Sequence, residues 1–239
     1  MVTVMRVPPR PAPHSRRADH SRREKDDGMA LLCALLMTAL LSTLGGTLVV
    51  LVLAEQLASA RHRASLEGLY AAEAGIERAI GELRLLPGWQ TLPGPGTGSA
   101  SPDFNDGAST ARLADGTVLD LGALTIERQV ESDAAYPSAA DRPVWRLFAH
   151  AFLDRVIEGG GGTAPPYVLV WIADDPEDLD GDPARDSNDV VMVRAQVFGV
   201  GRIRRAVEVV LRRHSALDAA GGGGTMRTDV DAIAWREVR

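Results

Sequence analysis

Residues 29–53, MALLCALLMTALLSTLGGTLVVLVL, run for 25 positions without a charged side chain. As an α-helix this stretch would reach roughly 37 Å, enough to cross a hydrocarbon core of about 30 Å with some tilt. Core helices of globular domains are seldom apolar on every side for so long, so the stretch reads as a membrane span. Seven basic residues lie upstream (Arg6, Arg10, Arg16, Arg17, Arg22, Arg23, Lys25) against four acidic ones, a net of +3. Residues 29–239 carry 19 basic and 28 acidic side chains, a net of −9. The positive-inside bias predicts a single pass with a cytoplasmic N-terminus and the acidic remainder on the far side. That charge balance suits an anchored protein better than a nucleic-acid binder. A cleavable signal is the competing reading, and Ala58-Ser59-Ala60 offers an A-x-A site. However, the apolar region of a signal peptide runs only ~7–15 residues.

The helical pattern continues past the span. Residues 55–86 hold no proline and are rich in Ala, Leu, Glu and Arg, all good helix formers. Leu69, Ile76, Ile80 and Leu83 recur at helical spacing and form one apolar stripe, while Pro87-Gly88 supplies a stop. The expectation is one helix over residues 29–86, apolar all round in its first part (29–54) and amphipathic in its second (55–86).

A basic leader ends in glycine (Arg22-Arg23-Glu24-Lys25-Asp26-Asp27-Gly28), Met29-Ala30-Leu31-Leu32 opens the apolar run, and Tyr70-Ala71-Ala72-Glu73-Ala74-Gly75-Ile76-Glu77-Arg78-Ala79 follows it. Together these segments resemble type IV pilin-like proteins, specifically the PilX-type minor pilins and pilus-assembly proteins. The resemblance covers residues 22–86 and extends to the remainder in architecture alone. It implies cleavage by a prepilin peptidase after Gly28 and methylation of the new terminus, Met29. Major pilins carry glutamate at the fifth mature position, where this chain has Cys33, so a minor subunit is implied. Asp26-Asp27 stands where the family usually has basic residues.

Beyond a Gly/Pro-rich loop over residues 87–116, short runs alternate with period two. Thr117–Leu121 and Leu124–Glu131 are expected to pair through a turn at Gly122. Val144–Phe152 places Trp145, Leu147, Ala149 and Ala151 on one face. Tyr167–Ala173 is almost wholly apolar. Val191, Val193, Ala195 and Val197 share a face in Val190–Phe198, as do Val207, Val209 and Leu211 in Ile203–Arg213, and a turn at Gly199–Gly201 joins these two runs. Short linkers imply antiparallel pairing. The expected fold is α+β: a long N-terminal helix whose second half packs on an antiparallel headgroup over residues 117–213. Residues 214–239 then hold a linker at Gly221–Gly224 and a last strand over Val230–Arg239. One apolar sheet face needs one cover, and the 55–86 stripe is the helical cover in view.

Chemistry-bearing motifs are few. The five histidines (His14, His20, His62, His150, His214) lack metal spacing, and no G-x-S-x-G, C-x-x-C or Walker loop occurs. No catalytic residues are expected, and no enzyme. The single cysteine, Cys33, precludes an internal disulfide. Residues 174–189 read DDPEDLDGDPARDSND, with Asp178, Asp180 and Asp182 alternating around Gly181 and with Asp186 and Asn188 following. Oxygen ligands at every second position of a Gly/Pro-containing loop suit Ca2+, although the EF-hand pattern is not met. The alternative is a solvated acidic connection. Arg202, Arg204, Arg205, Arg212 and Arg213 form the opposite cluster, read as a charged strand face that pairs with the acidic loop or with a neighbouring subunit. Gly45-Gly46 is the weakest point of the span, read either as a hinge or as a site of close helix packing.

The expected function is structural: a minor pilin or type IV pilus assembly subunit in the inner membrane, with its headgroup in the periplasm or on a cell-surface filament. Its expected partners are other pilin subunits, the assembly platform, prepilin peptidase and the lipid bilayer. Two rivals share the helix: a minor pseudopilin of type II secretion, and a single-pass anchored, adhesin-like binding module.

Overall fold

The computed structural model describes residues 16–94, 102–137, 142–159, 162–200, 203–218 and 225–238. The fold is α+β, built on a long N-terminal helix and a five-stranded antiparallel sheet. Residues group into two units, 1–59 and 60–239. Helix α1 (Arg16–Leu85) is 70 residues long and therefore starts well before the expected position 29. The prolines of the leader all lie at positions 8–13, so nothing from Arg16 onward forbids a helix, and one Gly28 costs only about 1 kcal/mol. In the first unit the apolar side chains of residues 29–53 are exposed. One helix, over Gly28–Leu85, is apolar and long enough to cross a membrane.

The second unit is layered around the sheet. Its strands are β3 (Arg146–Phe152), β4 (Tyr167–Asp174), β5 (Val190–Gly199), β6 (Ile203–Asp218) and β7 (Thr225–Val238). They lie in the order β3-β4-β5-β6-β7, with every neighbouring pair antiparallel. One face carries Val168, Val170, Ile172, Val191, Val193, Ala195, Val197, Val207, Val209 and Leu211, and it packs with Ala71, Ala72, Ile76, Ala79, Ile80 and Leu83 of α1. Small residues dominate this helical stripe. They bring the backbones together: a Cβ at Gly75 would stand 2.8 Å from Val168 Cγ1.

The opposite face is apolar too, with Tyr167, Leu169, Trp171, Ala173, Met192 and Phe198 buried. Its cover corrects two expectations. Leu124–Glu131 is not a strand but part of helix α2 (Leu121–Ala135), and the short strands β1 (Thr110–Arg112) and β2 (Val118–Asp120) pair with each other. The Asp120 side chain accepts a hydrogen bond from the Ala123 N–H at 2.9 Å and caps α2. Leu121, Arg128 and Ser132 then face inward at helical spacing. The sheet is therefore covered on both sides, as the unbroken apolar run of β4 requires. β1 falls within the stretch expected to be loop, and Trp89, Leu92 and Phe104 of that stretch are buried.

A third correction concerns β3. Its register slips between Leu147 and Ala149, a β-bulge at Phe148. Trp145 and Leu147 thus join the α2 face, while Phe148, Ala149 and Ala151 join the α1 face, so the four residues expected together are divided. The hairpin between β5 and β6 pairs Gly199 with Ile203, and β7 supplies the last strand from Thr225, earlier than Val230. Gly201, Arg202 and the Gly221–Gly224 linker lie outside the described residues.

Candidate functional site

The acidic segment joins β4 to β5. Asp174 ends β4, and a ladder of side-chain-to-backbone turns follows. Asp175 accepts from the Glu177 N–H at 3.1 Å, Asp178 from Asp180 at 3.2 Å and Asp180 from Asp182 at 2.8 Å. Asp182 then accepts from the Ala184 N–H at 3.0 Å, Asp186 from Asn188 at 3.1 Å and Asn188 from Val190 at 2.8 Å. The every-second-residue alternation is in the first place a run of Asx turns. Gly181, at φ 78°, turns the chain in the left-handed region that glycine adopts without strain.

Asp178 anchors the loop. It is 3 % exposed and accepts from both the Ser187 N–H and the Ser187 hydroxyl at 2.7 Å. Burial works against its ionisation, but those bonds outweigh it and hold the carboxyl below the usual range. Asn188 Nδ2 donates to Asp175 at 2.9 Å. Asp186 is buried, which raises its carboxyl to about 6, and it also accepts from the Val190 N–H at 3.2 Å.

Asp174 stands apart. It is 1 % exposed; one oxygen accepts from the Asp175 N–H at 3.0 Å, and the other, Oδ2, is buried with no hydrogen-bond partner. Burial, reinforced by the charges of Asp178 and Asp186, pushes its carboxyl up to about 8. One oxygen from each of Asp174, Asp178 and Asp180 lies within 4.8 Å of the other two. Of the five residues expected as ligands, the structure thus gathers Asp178 and Asp180 and adds Asp174. Asp182, Asp186 and Asn188 serve the backbone turns.

The other expected positions lie in α1. Gly28 is exposed and helical, followed directly by exposed Met29. Gly45 and Gly46 are helical and open, with nothing within 4 Å of a Cβ built at either. The hydroxyls of Thr43 and Thr47 donate to the Leu40 and Leu44 carbonyls at 2.8 Å, so the turns around the glycine pair carry extra acceptor satisfaction.

Two buried polar groups were not singled out from the sequence. His150 Nδ1 lies 2.8 Å from Asp106 Oδ1 and 2.9 Å from the Tyr167 hydroxyl, which donates to Asp106 Oδ2 at 2.9 Å. The Asp106 N–H also donates to the His150 carbonyl at 3.0 Å, so the trio clamps the 102–109 segment onto β3. Burial lowers the His150 pKa despite Asp106. His150, Arg146, Leu121 and Thr125 border a cavity of about 910 Å³.

The second group ties α2 to the sheet. Buried Arg128 and Arg194 both reach Glu131, at 2.9 and 3.3 Å, and Glu208, at 3.7 and 3.6 Å, while Arg236 also pairs with Glu208. Burial lowers the Arg194 pKa to about 10. Nothing in residue spacing reveals either group, because the members of the first come from three separated segments and those of the second from four. Of the expected arginine face, Arg204 pairs with Glu127 at 2.9 Å, Arg205 with Glu237 at 3.2 Å and Arg213 with Asp189 at 4.0 Å.

Comparison with protein-family models, with curated proteins and with solved structures gives no match for this chain.

Proposed function

We propose that this chain is a PilX-type minor pilin, an inner-membrane subunit that enters or primes a type IV pilin-like filament. The observation that carries the reading is the double character of α1. Residues 29–53 expose apolar side chains on every side, whereas Ala71, Ala72, Ile76, Ala79, Ile80 and Leu83 of the same helix are buried over an antiparallel sheet. An apolar helical surface of that length needs lipid or other apolar helices around it. A bilayer and a filament core are those two environments. The leader that ends in Gly28 and the Ala71-Ala72-Glu73-Ala74 segment add the family resemblance, and the basic residues upstream favour a cytoplasmic N-terminus. The partners that follow are lipid, prepilin peptidase, the assembly platform and other pilin subunits, with Gly45-Gly46 a soft point that eases passage from bilayer to filament.

N-terminal sequencing and intact mass of the membrane-extracted protein test this. The mature chain is expected to begin at a methylated Met29, and replacement of Gly28 by a bulky residue is expected to leave the precursor uncut. A mature start at Met1, or at Arg61 after cleavage behind Ala60, overturns the reading. The double variant Gly45→Ala, Gly46→Ala is expected to insert normally and to enter filaments less; unchanged incorporation removes the hinge.

A further inference from the structure

We infer that Asp174, Asp178 and Asp180 form a binding site for one divalent cation, Ca2+, at the junction of β4 with the acidic loop. Three carboxylate oxygens of these residues lie within 4.8 Å of one another, so a point within about 2.8 Å of all three exists, close to the 2.3–2.6 Å of Ca2+–oxygen bonds. Acidic side chains close together on a loop are common and carry no such inference by themselves. The observation that does is Asp174. Its side chain is 1 % exposed, and its Oδ2 is buried with no partner, in a loop where the neighbouring carboxylates accept backbone N–H groups. A buried carboxylate oxygen left without a donor is costly unless a cation or a proton completes it.

The surroundings decide between those two. Asp178 and Asp180 each bring a carboxylate oxygen to within 4.8 Å of one of Asp174. A divalent cation offsets two of the three carboxylate charges and can contact all three groups, whereas a proton on Asp174 reaches only its own carboxyl. Ca2+ fits better than Mg2+. Mg2+ usually takes one or two carboxylates and keeps several waters in a strict octahedron, whereas Ca2+ accepts several carboxylates in irregular geometry. The remaining Ca2+ ligands would be water, reached through the exposed side at Asp180. The site is independent of the pilin reading, since it belongs to the sheet-bearing unit.

The test uses the full chain in detergent, with CaCl2, MgCl2 or EDTA at equal ionic strength, followed by thermal melting and calorimetric titration. Wild type is expected to bind one Ca2+ and to melt on the order of 5 to 10 °C higher at a hundredfold excess of Ca2+ over Kd than in EDTA. Asp174→Asn is expected to melt at the same temperature in both. If that variant does not fold, Asp180→Asn serves instead: it alters an exposed residue and is expected to weaken binding on the order of tenfold or more. Asp182→Asn, outside the trio, is expected to keep the full Ca2+ shift. Equal midpoints for wild type in Ca2+ and EDTA overturn the site. So does a Ca2+ shift that survives Asp174→Asn or is undiminished in Asp180→Asn, and an equal shift with Mg2+ overturns the choice of ion.

Discussion

Gly75→Ala tests how closely α1 is seated on the sheet. In an exposed helix interior the change would stabilise by about 0.8–1 kcal/mol. At Gly75 the new Cβ would stand 2.8 Å from Val168 Cγ1 and 3.4 Å from the Ala195 Cβ. Val168 is fully buried and β-branched in a central strand, so its methyl has little room to rotate away. Overpacking of this kind costs about 1–3 kcal/mol, which leaves a net loss of roughly 0–2 kcal/mol. Gly81→Ala on the same helix is the control, because nothing lies within 4 Å of its added Cβ, and it is expected to gain about 0.8–1 kcal/mol. The two variants should therefore differ by about 1–3 kcal/mol, on the order of 2–12 °C in melting midpoint for a domain of this size. Circular dichroism melts of the detergent-solubilised chain measure the difference directly. If both variants stabilise equally, α1 does not approach β4 as closely as described, and the small-residue stripe loses its explanation.

Asp120→Ala removes the cap of α2 and is expected to cost about 1 kcal/mol in urea denaturation, with Asp120→Asn close to wild type; equal losses from both would assign the effect to charge rather than to the hydrogen bond. Glu208→Gln leaves buried Arg128 and Arg194 with Glu131 as their remaining carboxylate, with an expected loss of about 1.5–3 kcal/mol, and a loss below about 1 kcal/mol would show the cluster to be solvated. The His150 imidazole, faced by Asp106 and Tyr167, is held neutral in the folded chain, its pKa lowered from 6.5. Just below pH 6.5 the unfolded chain therefore binds the extra proton, and stability falls as the pH falls through that window. His150→Gln is expected to lose less of its melting midpoint between pH 7 and pH 5 than wild type does; an equal loss places the acid sensitivity elsewhere.

How much was legible in the sequence differs by element, for physical reasons. The span and the helix beyond it were visible because apolar length and helical spacing are local properties, and β5 and β6 because one buried face imposes alternation. Helix α2 was hidden by a coincidence. Leu124, Ile126 and Val130 mimic a strand's alternation, yet Ile126 and Val130 are 67 % and 63 % exposed, while Arg128 and Ser132 are the buried members. Asp120 as a cap was the available counter-signal. The bulge in β3 depends on pairing with β4, which no spacing within residues 144–152 records. In the acidic loop the segment was evident, but the ligand set was not. Asp174 counts as part of the site only because β4 carries it into the interior, and backbone turns engage every one of the alternating side chains from Asp178 to Asn188.

The sheet has its own consequence for how the chain comes to be built. Its spatial order matches its chain order, so each strand joins the one made just before it, and none must be threaded between two that are already paired. Local antiparallel joining of this sort keeps the loops to be closed short and assembly fast. Helix α1 is the exception. Its stripe through Gly75 rests on Val168, Val170 and Ala195, which lie far downstream. An element made early thus waits for a surface made much later, and during that wait Ala71, Ala72, Gly75 and Ala79 of its stripe present little side chain for a stray apolar segment to grip.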